Sequence, residues 1–254
     1  MPFREELVDI GGRRLHVTCA GEGSPTIVLE AGMGDTLATW ASIQGRLAEM
    51  TTVLSYTRAG LGRSDPAPLP RSIQDMVTDL GNLLSAVAVP GPYVLVAHSY
   101  GGQIARLFAA QHPLETKAMV LVDPSHEDKY ARFEAVLTEQ LIERQGAFVN
   151  DPSRNSEHID LLESRRQMNA ASSVLNIPMV VLTRGMTDEQ SSVWPSPELQ
   201  KIERQMHLAL LKVPGFGLRK HIIAEHSGHF IHHDEPELVI SAVREAMKAA
   251  RTES

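Results

Sequence analysis

Apolar residues along the chain fall into two recurring patterns. Short runs of strand length and β-branched composition occur at Leu7–Ile10, Arg13–Cys19, Thr26–Glu30, Thr52–Tyr56, Tyr93–Ala97, Ala118–Val122, Met179–Thr183 and His221–Glu225. Four are almost wholly apolar, as strands covered on both faces are. Arg13–Cys19 alternates instead, and with Leu7–Ile10 and the intervening Gly11-Gly12 it predicts an opening hairpin. Between these runs the spacing predicts helices over Ser72–Val87, Gly101–Gln111, Pro197–Leu211 and Pro236–Ala250. In the last, Leu238, Val239, Ala242, Val243, Ala246 and Met247 share one face.

Strand alternating with helix after an antiparallel start predicts an α/β protein with a mostly parallel sheet flanked by helices. One interval breaks the rhythm. From Val122 to Ile177, roughly 50 residues carry no convincing strand, too many for a simple connection. Two charged, helix-like pieces, Glu127–Gln145 and Glu157–Leu175, are joined there by the turn-rich Asn150–Ser156. Residues 124–176 are therefore expected to form a small helical lid inserted into a single domain spanning 1–254. No internal repeat or low-complexity tract is present.

Composition narrows the classes. With 254 residues and 43% hydrophobic content, the chain has material for a sizeable core. A net charge of −7 gives no electrostatic reason to expect nucleic acid or an anionic membrane as partner. The single cysteine, Cys19, excludes an intrachain disulfide and Cys-rich zinc modules. No run approaches a membrane span, and MPFREELVDIGG lacks the basic end and apolar run of a secretory signal, so a cytoplasmic location is expected. Eleven histidines leave room for a metal or acid–base site.

The most informative stretch is YVLVAHSYGGQIARLFA, Tyr93 to Ala109. An apolar strand ends near Ala97, a helix begins near Gly101, and Ser99 sits at the sharp turn between them. Small residues two before and two after the serine let strand and helix approach closely, and the helix N-terminus favours negative charge beside it. This resembles the nucleophile elbow of the α/β-hydrolase superfamily, with Ala97 in place of the usual first glycine. Three further segments match that superfamily in order: LEAGMGD at Leu29–Asp35 (the oxyanion loop), TRAGLGRSD at Thr57–Asp65 (a glycine-rich loop) and EHSGHFIHHDEPELV at Glu225–Val239 (the catalytic histidine loop). The resemblance implies an eight-stranded, mostly parallel sheet and a serine hydrolase needing no metal or organic cofactor.

Carried over by position, the resemblance makes Ser99 the nucleophile and His229, in Ser227-Gly228-His229-Phe230, its base. His226, His232 and His233 are competitors. The four histidines lack the carboxylate spacing of a zinc motif, so no metal is expected. The oxyanion donors would be the backbone N–H groups of Tyr100 and Met33. Where many relatives have His-Gly, this chain has Ala31-Gly32, which leaves Glu30 to brace the loop. For the acid, Asp188 keeps a spacing seen after the seventh strand in many relatives. Asp123 leaves a fully apolar strand with Pro124 fixing the turn, so it should be rigid and partly buried. We favour Asp123, with Asp188 the alternative and Glu127 a remote third.

Specificity should come from the 124–176 insertion and the flanking loops, where Trp40, His126, Met186 and Trp194 are candidate substrate contacts. Arg58 and Arg63 flank a glycine-rich loop that lacks the lysine of a phosphate loop. The expected substrate is a small to medium, largely uncharged carboxylic ester, thioester or lactone, taken by a monomer or homodimer. Relatives that use dehalogenase or epoxide-hydrolase chemistry carry an aspartate where Ser99 stands. C–C bond hydrolysis, cofactor-free perhydrolysis and a non-catalytic receptor remain the alternatives.

Overall fold

The computed structural model describes residues 4–89, 91–171, 175–187, 196–212 and 217–252. Its strands are β1 (Arg4–Asp9), β2 (Arg14–Ala20), β3 (Thr26–Glu30), β4 (Val53–Thr57), β5 (Tyr93–His98), β6 (Thr116–Val122), β7 (Met179–Arg184) and β8 (Arg219–Ala224). Its α-helices are α1 (Ala41–Ala48), α2 (Ile73–Ala86), α3 (Gly101–Gln111), α4 (Lys129–Phe133), α5 (Glu139–Val149), α6 (Leu161–Ala170), α7 (Ser196–Leu211), α8 (Ile231–Asp234) and α9 (Pro236–Thr252). The strands form one eight-stranded sheet in the order β1-β2-β4-β3-β5-β6-β7-β8. β2 alone runs against its neighbours, and every pair from β4 to β8 is parallel. The sheet expected from the strand–helix alternation and the superfamily resemblance is the one observed.

The two-residue period of each strand sorts its side chains between two cores. Val28, Leu95, Ala97, Met119, Leu121 and Val181 pack with α2 and α3. Ile27, Leu29, Val94, Val96, Val120 and Val180 pack on the other face with α1 and α9. Both faces are covered, which is why the central strands read as unbroken apolar runs. On α9 the buried stripe is Val239, Ile240, Ala242, Val243, Ala246, Met247 and Ala250, with Leu238 at its margin. A capping box starts α2: Ser72 accepts from the Asp75 N–H, and Asp75 accepts from the Ser72 N–H at 2.7 Å.

Helices α4, α5 and α6 occupy the interval between β6 and β7. The Ser164 hydroxyl and the Gln167 amide of α6 accept from the Ile73 and Gln74 N–H groups, two of the donors the first turn of α2 leaves open. The stretch expected to be one helix over Glu127–Gln145 is two. Between them Phe133 and Leu137 turn inward onto Leu199 and Met206 of α7, and Thr138 is extended before α5 begins. No helix was expected over Ala41–Ala48, whose eight residues offer only Ile43 and Leu47 as an apolar stripe. Among the described residues, no helix is long and apolar enough to cross a membrane.

Candidate active site

Ser99 follows directly on β5 with φ 52°, a left-handed conformation that L-residues seldom adopt. The turn is held by its neighbours: the Ser99 N–H donates to Val122 O at 3.1 Å, and Ser99 O accepts from Ser125 N at 2.8 Å and Gly102 N at 3.0 Å. A Cβ on Gly101 would lie 2.4 Å from Ala31 O and 2.7 Å from Glu30 O. Only glycine lets α3 start this close to the end of β3, and that closeness sets the serine beside the loop after Glu30.

Asp123 leaves β6 with φ 43°, 3% exposed. Its turn is pinned from α7: neutral His207 accepts at Nδ1 from the Thr183 hydroxyl and donates from Nε2 to Pro124 O, both at 2.7 Å. Burial keeps that imidazole uncharged. Asp123 Oδ2 accepts from His229 Nδ1 at 2.6 Å, and Oδ1 accepts from the Arg184 N–H at 3.1 Å. Burial opposes its charge, but hydrogen bonding to His229 and the Arg184 guanidinium hold the carboxyl well below the usual carboxylate range.

The competing histidines have other partners. His232, fully buried against Trp40, bonds the Thr39 hydroxyl at 2.9 Å, and burial beside His98 and His233 pushes it down to about 2. His233 donates to Thr39 O at 2.8 Å, and His226 is exposed. His98 was not singled out in the sequence. Its Nε2 donates to His229 O at 3.0 Å and its ring lies 4.5 Å from the His229 ring, so it ties the histidine loop to the serine turn.

The Ala31–Gly34 loop is clamped by a buried charge cluster. Arg58 donates to Ala31 O at 2.8 Å and to Gly32 O at 2.5 Å, and pairs with Glu30 at 2.5 Å and with Glu157 at 2.6 Å. In a trans peptide the N–H of Met33 points opposite to the carbonyl of Gly32. Arg58 therefore orients the amide that carries the Met33 N–H. Glu157, from the segment between β6 and β7, takes the neighbouring Gly34 N–H at 2.7 Å. Glu30 also accepts from the Tyr56 hydroxyl. The bracing assigned to Glu30 is thus shared by Arg58 and Glu157, neither of which was given a role from sequence.

Ser99, Tyr100 and Met33 line one cavity of about 130 Å³, together with Gln103 and with His126 and Tyr130 of the segment between β6 and β7. Tyr130 is also a wall of a larger cavity, about 430 Å³, bounded by Phe133, Phe148 and Arg144. Of the expected substrate contacts that lie among the described residues, His126 reaches the Ser99 cavity. Trp40 is corrected to a core residue: at 0% exposure its ring lies tilted 4.5 Å from that of His232, and its bulk packs in the core with Ile43 and Leu47 of α1 and Ile231 of α8. Met186 is 49% exposed and borders neither of these two cavities. Asp188 and Trp194 lie outside the described residues. Glu127 is taken by Arg106 at 2.7 and 3.0 Å and does not meet His229. Among the described residues, no group of three or more His, Cys, Asp or Glu could hold a metal ion.

These features can be set beside known proteins. YqjL, an uncharacterized protein of Bacillus subtilis, is 30% identical over 250 residues, covering 98% of this chain and 94% of its own. A potato epoxide hydrolase shares the fold with a TM-score of 0.70 at 16% identity, over 97% of this chain and 99% of that one. A Bacillus subtilis carboxylesterase does so with a TM-score of 0.63 at 13% identity, over 97% and 92%. Residues 27–242 match the family model described as the alpha/beta hydrolase family, and the chain belongs to that family.

Proposed function

We propose that the protein is a serine hydrolase that cleaves a small to medium carboxylic ester, thioester or lactone through an acyl-enzyme on Ser99. The observation that carries this reading is the 2.6 Å bond from His229 to buried Asp123, beside a serine strained into the left-handed region. A serine hydroxyl is a weak nucleophile unless a base accepts its proton. Asp123 fixes the tautomer that leaves His229 Nε2 as that base, and stabilises the imidazolium once it forms. The tetrahedral oxyanion is received by the N–H groups of Met33 and Tyr100. His229 then protonates the leaving group, and water activated by the same histidine releases the acid.

The small cavity suits a short acyl group, with His126 and Gln103 as its polar contacts. The enzyme works without a cofactor, as a monomer or homodimer in the cytoplasm, on a small-molecule substrate. The test is turnover of 4-nitrophenyl esters of increasing acyl length. A nitrophenol burst of about one per chain, absent in Ser99→Ala, is expected. Equal turnover by wild type and Ser99→Ala would contradict the proposal.

A further inference from the structure

We propose that Arg184 is a positioning residue that shares the Asp123 carboxylate with His229 and thereby sets the pH range in which the base works. This rests on the triad proposed above. Oδ2 of Asp123 accepts both His229 Nδ1 at 2.6 Å and Arg184 Nη1 at 2.9 Å, while Oδ1 is held by the Arg184 N–H at 3.1 Å. Arg184 Nη1 stands 3.4 Å from His229 Nδ1. The guanidinium also donates from Nη2 to Glu203 Oε2 at 2.5 Å, and Glu203 Oε1 pairs with Lys129 Nζ at 2.9 Å. A chain of alternating charge, Asp123–Arg184–Glu203–Lys129, thus runs from the end of β6 through the end of β7 and α7 to α4.

The physical consequence is a competition for one oxygen. In a triad where the acid serves the histidine alone, the full carboxylate charge stabilises the imidazolium. Here a permanent cation draws on the same oxygen and lies beside the ring that must become positive. Both effects oppose the positive charge that His229 takes up in the proposed reaction. The two bonds from Arg184 also fix the carboxylate plane, so that Oδ2 stays aimed at Nδ1.

Other titratable groups among the described residues also face this pair. His98, from the end of β5, packs on the His229 ring; burial holds it neutral. His232, from the same segment as His229, is neutral for the same reason. His207, from α7, is buried and neutral near Asp123. Asp35 lies 3.7 Å from His98 on the far side. Among the described residues, Arg184, Glu203 and Lys129 are the permanent charges linked to the acid.

The test is the pH dependence of kcat/KM for 4-nitrophenyl acetate from pH 4.5 to 9, with active sites counted by fluorophosphonate labelling. Arg184→Met is expected to move the acid limb up by about one pH unit and to lower the plateau about tenfold. Arg184→Lys should restore most of the limb position and less of the plateau, since it keeps the charge and loses the fork. Glu203→Gln should move the limb the opposite way, by about half a unit, because it removes the anion that offsets Arg184. Should Arg184→Met fail to fold, the downward limb shift of Glu203→Gln, set against the near-native limb of Arg184→Lys, still decides. A plateau that falls with an unmoved limb makes Arg184 merely structural and overturns the inference. A wild type that labels at Ser99 but keeps full activity as Asp123→Asn would instead overturn the triad reading itself.

Discussion

Two arginines flank the site and are used in opposite ways. Arg58 is 3% exposed and stands between two buried glutamates, Glu30 and Glu157, with two further bonds to the loop carbonyls. Arg184 is more open and reaches outward, from the acid through Glu203 to Lys129 of α4. The first cluster orients a neutral donor, the Met33 amide, and its charges only have to stay in place. The second touches the groups whose charge changes during the proposed reaction. One guanidinium thus serves as a clamp and the other as an electrostatic bias, and the distinction lies in what each fork bonds to.

The largest effect should come from the acid itself. Asp123→Asn is expected to lower kcat on an aryl ester by about 10⁴-fold, whereas Asp188→Asn should stay within about threefold. If only Asp188→Asn collapses activity, Arg184 would be serving a structural carboxylate and the comparison breaks. Arg58→Met comes next. Removing the cation strands two buried carboxylates, and a loss of about 3–5 kcal/mol in unfolding free energy is expected by denaturant titration. Glu157→Gln, milder, should lower kcat about tenfold with KM little changed, because only the Gly34 contact and the Arg58 fork are disturbed.

Acid should separate the two clusters. Asp123 and Glu203 are both held below their ordinary values, 3.8 and 4.5, chiefly against burial, by His229 and Arg184 and by Lys129 and Arg184. A lowered carboxyl contributes stability that is present above its unfolded value and is lost as pH falls through its folded value. In the Arg58 cluster the signs differ: burial raises Glu30, while Arg58 lowers Glu157. Protonating Glu30 relieves a native-state cost, which partly offsets the loss at Glu157. On acidification below about pH 4.5, amide exchange should therefore rise at Arg184 and Lys129 before Gly32–Gly34. Simultaneous opening would remove this difference. The smallest effect is expected at His126→Ala, a few-fold rise in KM with kcat kept.

Local signals carried much of this arrangement. Alternation and apolar runs marked the strands because both faces of the sheet are covered, and Ala97, Ser99 and Gly101 marked the elbow because close approach of β3 and α3 admits so few residue types. Reasoning about rigidity also led to the aspartate that meets His229, since an apolar strand followed by Pro124 must hold its end still. What stayed hidden is long-range pairing. Arg58 meets Glu157 across 99 positions and Arg184 meets Asp123 across 61, and nothing local to either arginine names its partner. A charged residue at the end of an apolar run, as at Glu30, Arg58 and Arg184, was the available hint: such a group needs an opposite charge nearby. Trp40 was misread because the size that suits a pocket wall suits a core equally well.

The most direct measurement is peptide-mapped mass spectrometry after fluorophosphonate treatment of wild type and Asp123→Asn. The expected result is one adduct per chain on Ser99 in the wild type, forming at least about 10²-fold more slowly in the variant because the histidine loses its fixed tautomer. Folded wild-type protein that takes up no adduct at Ser99 would contradict the account.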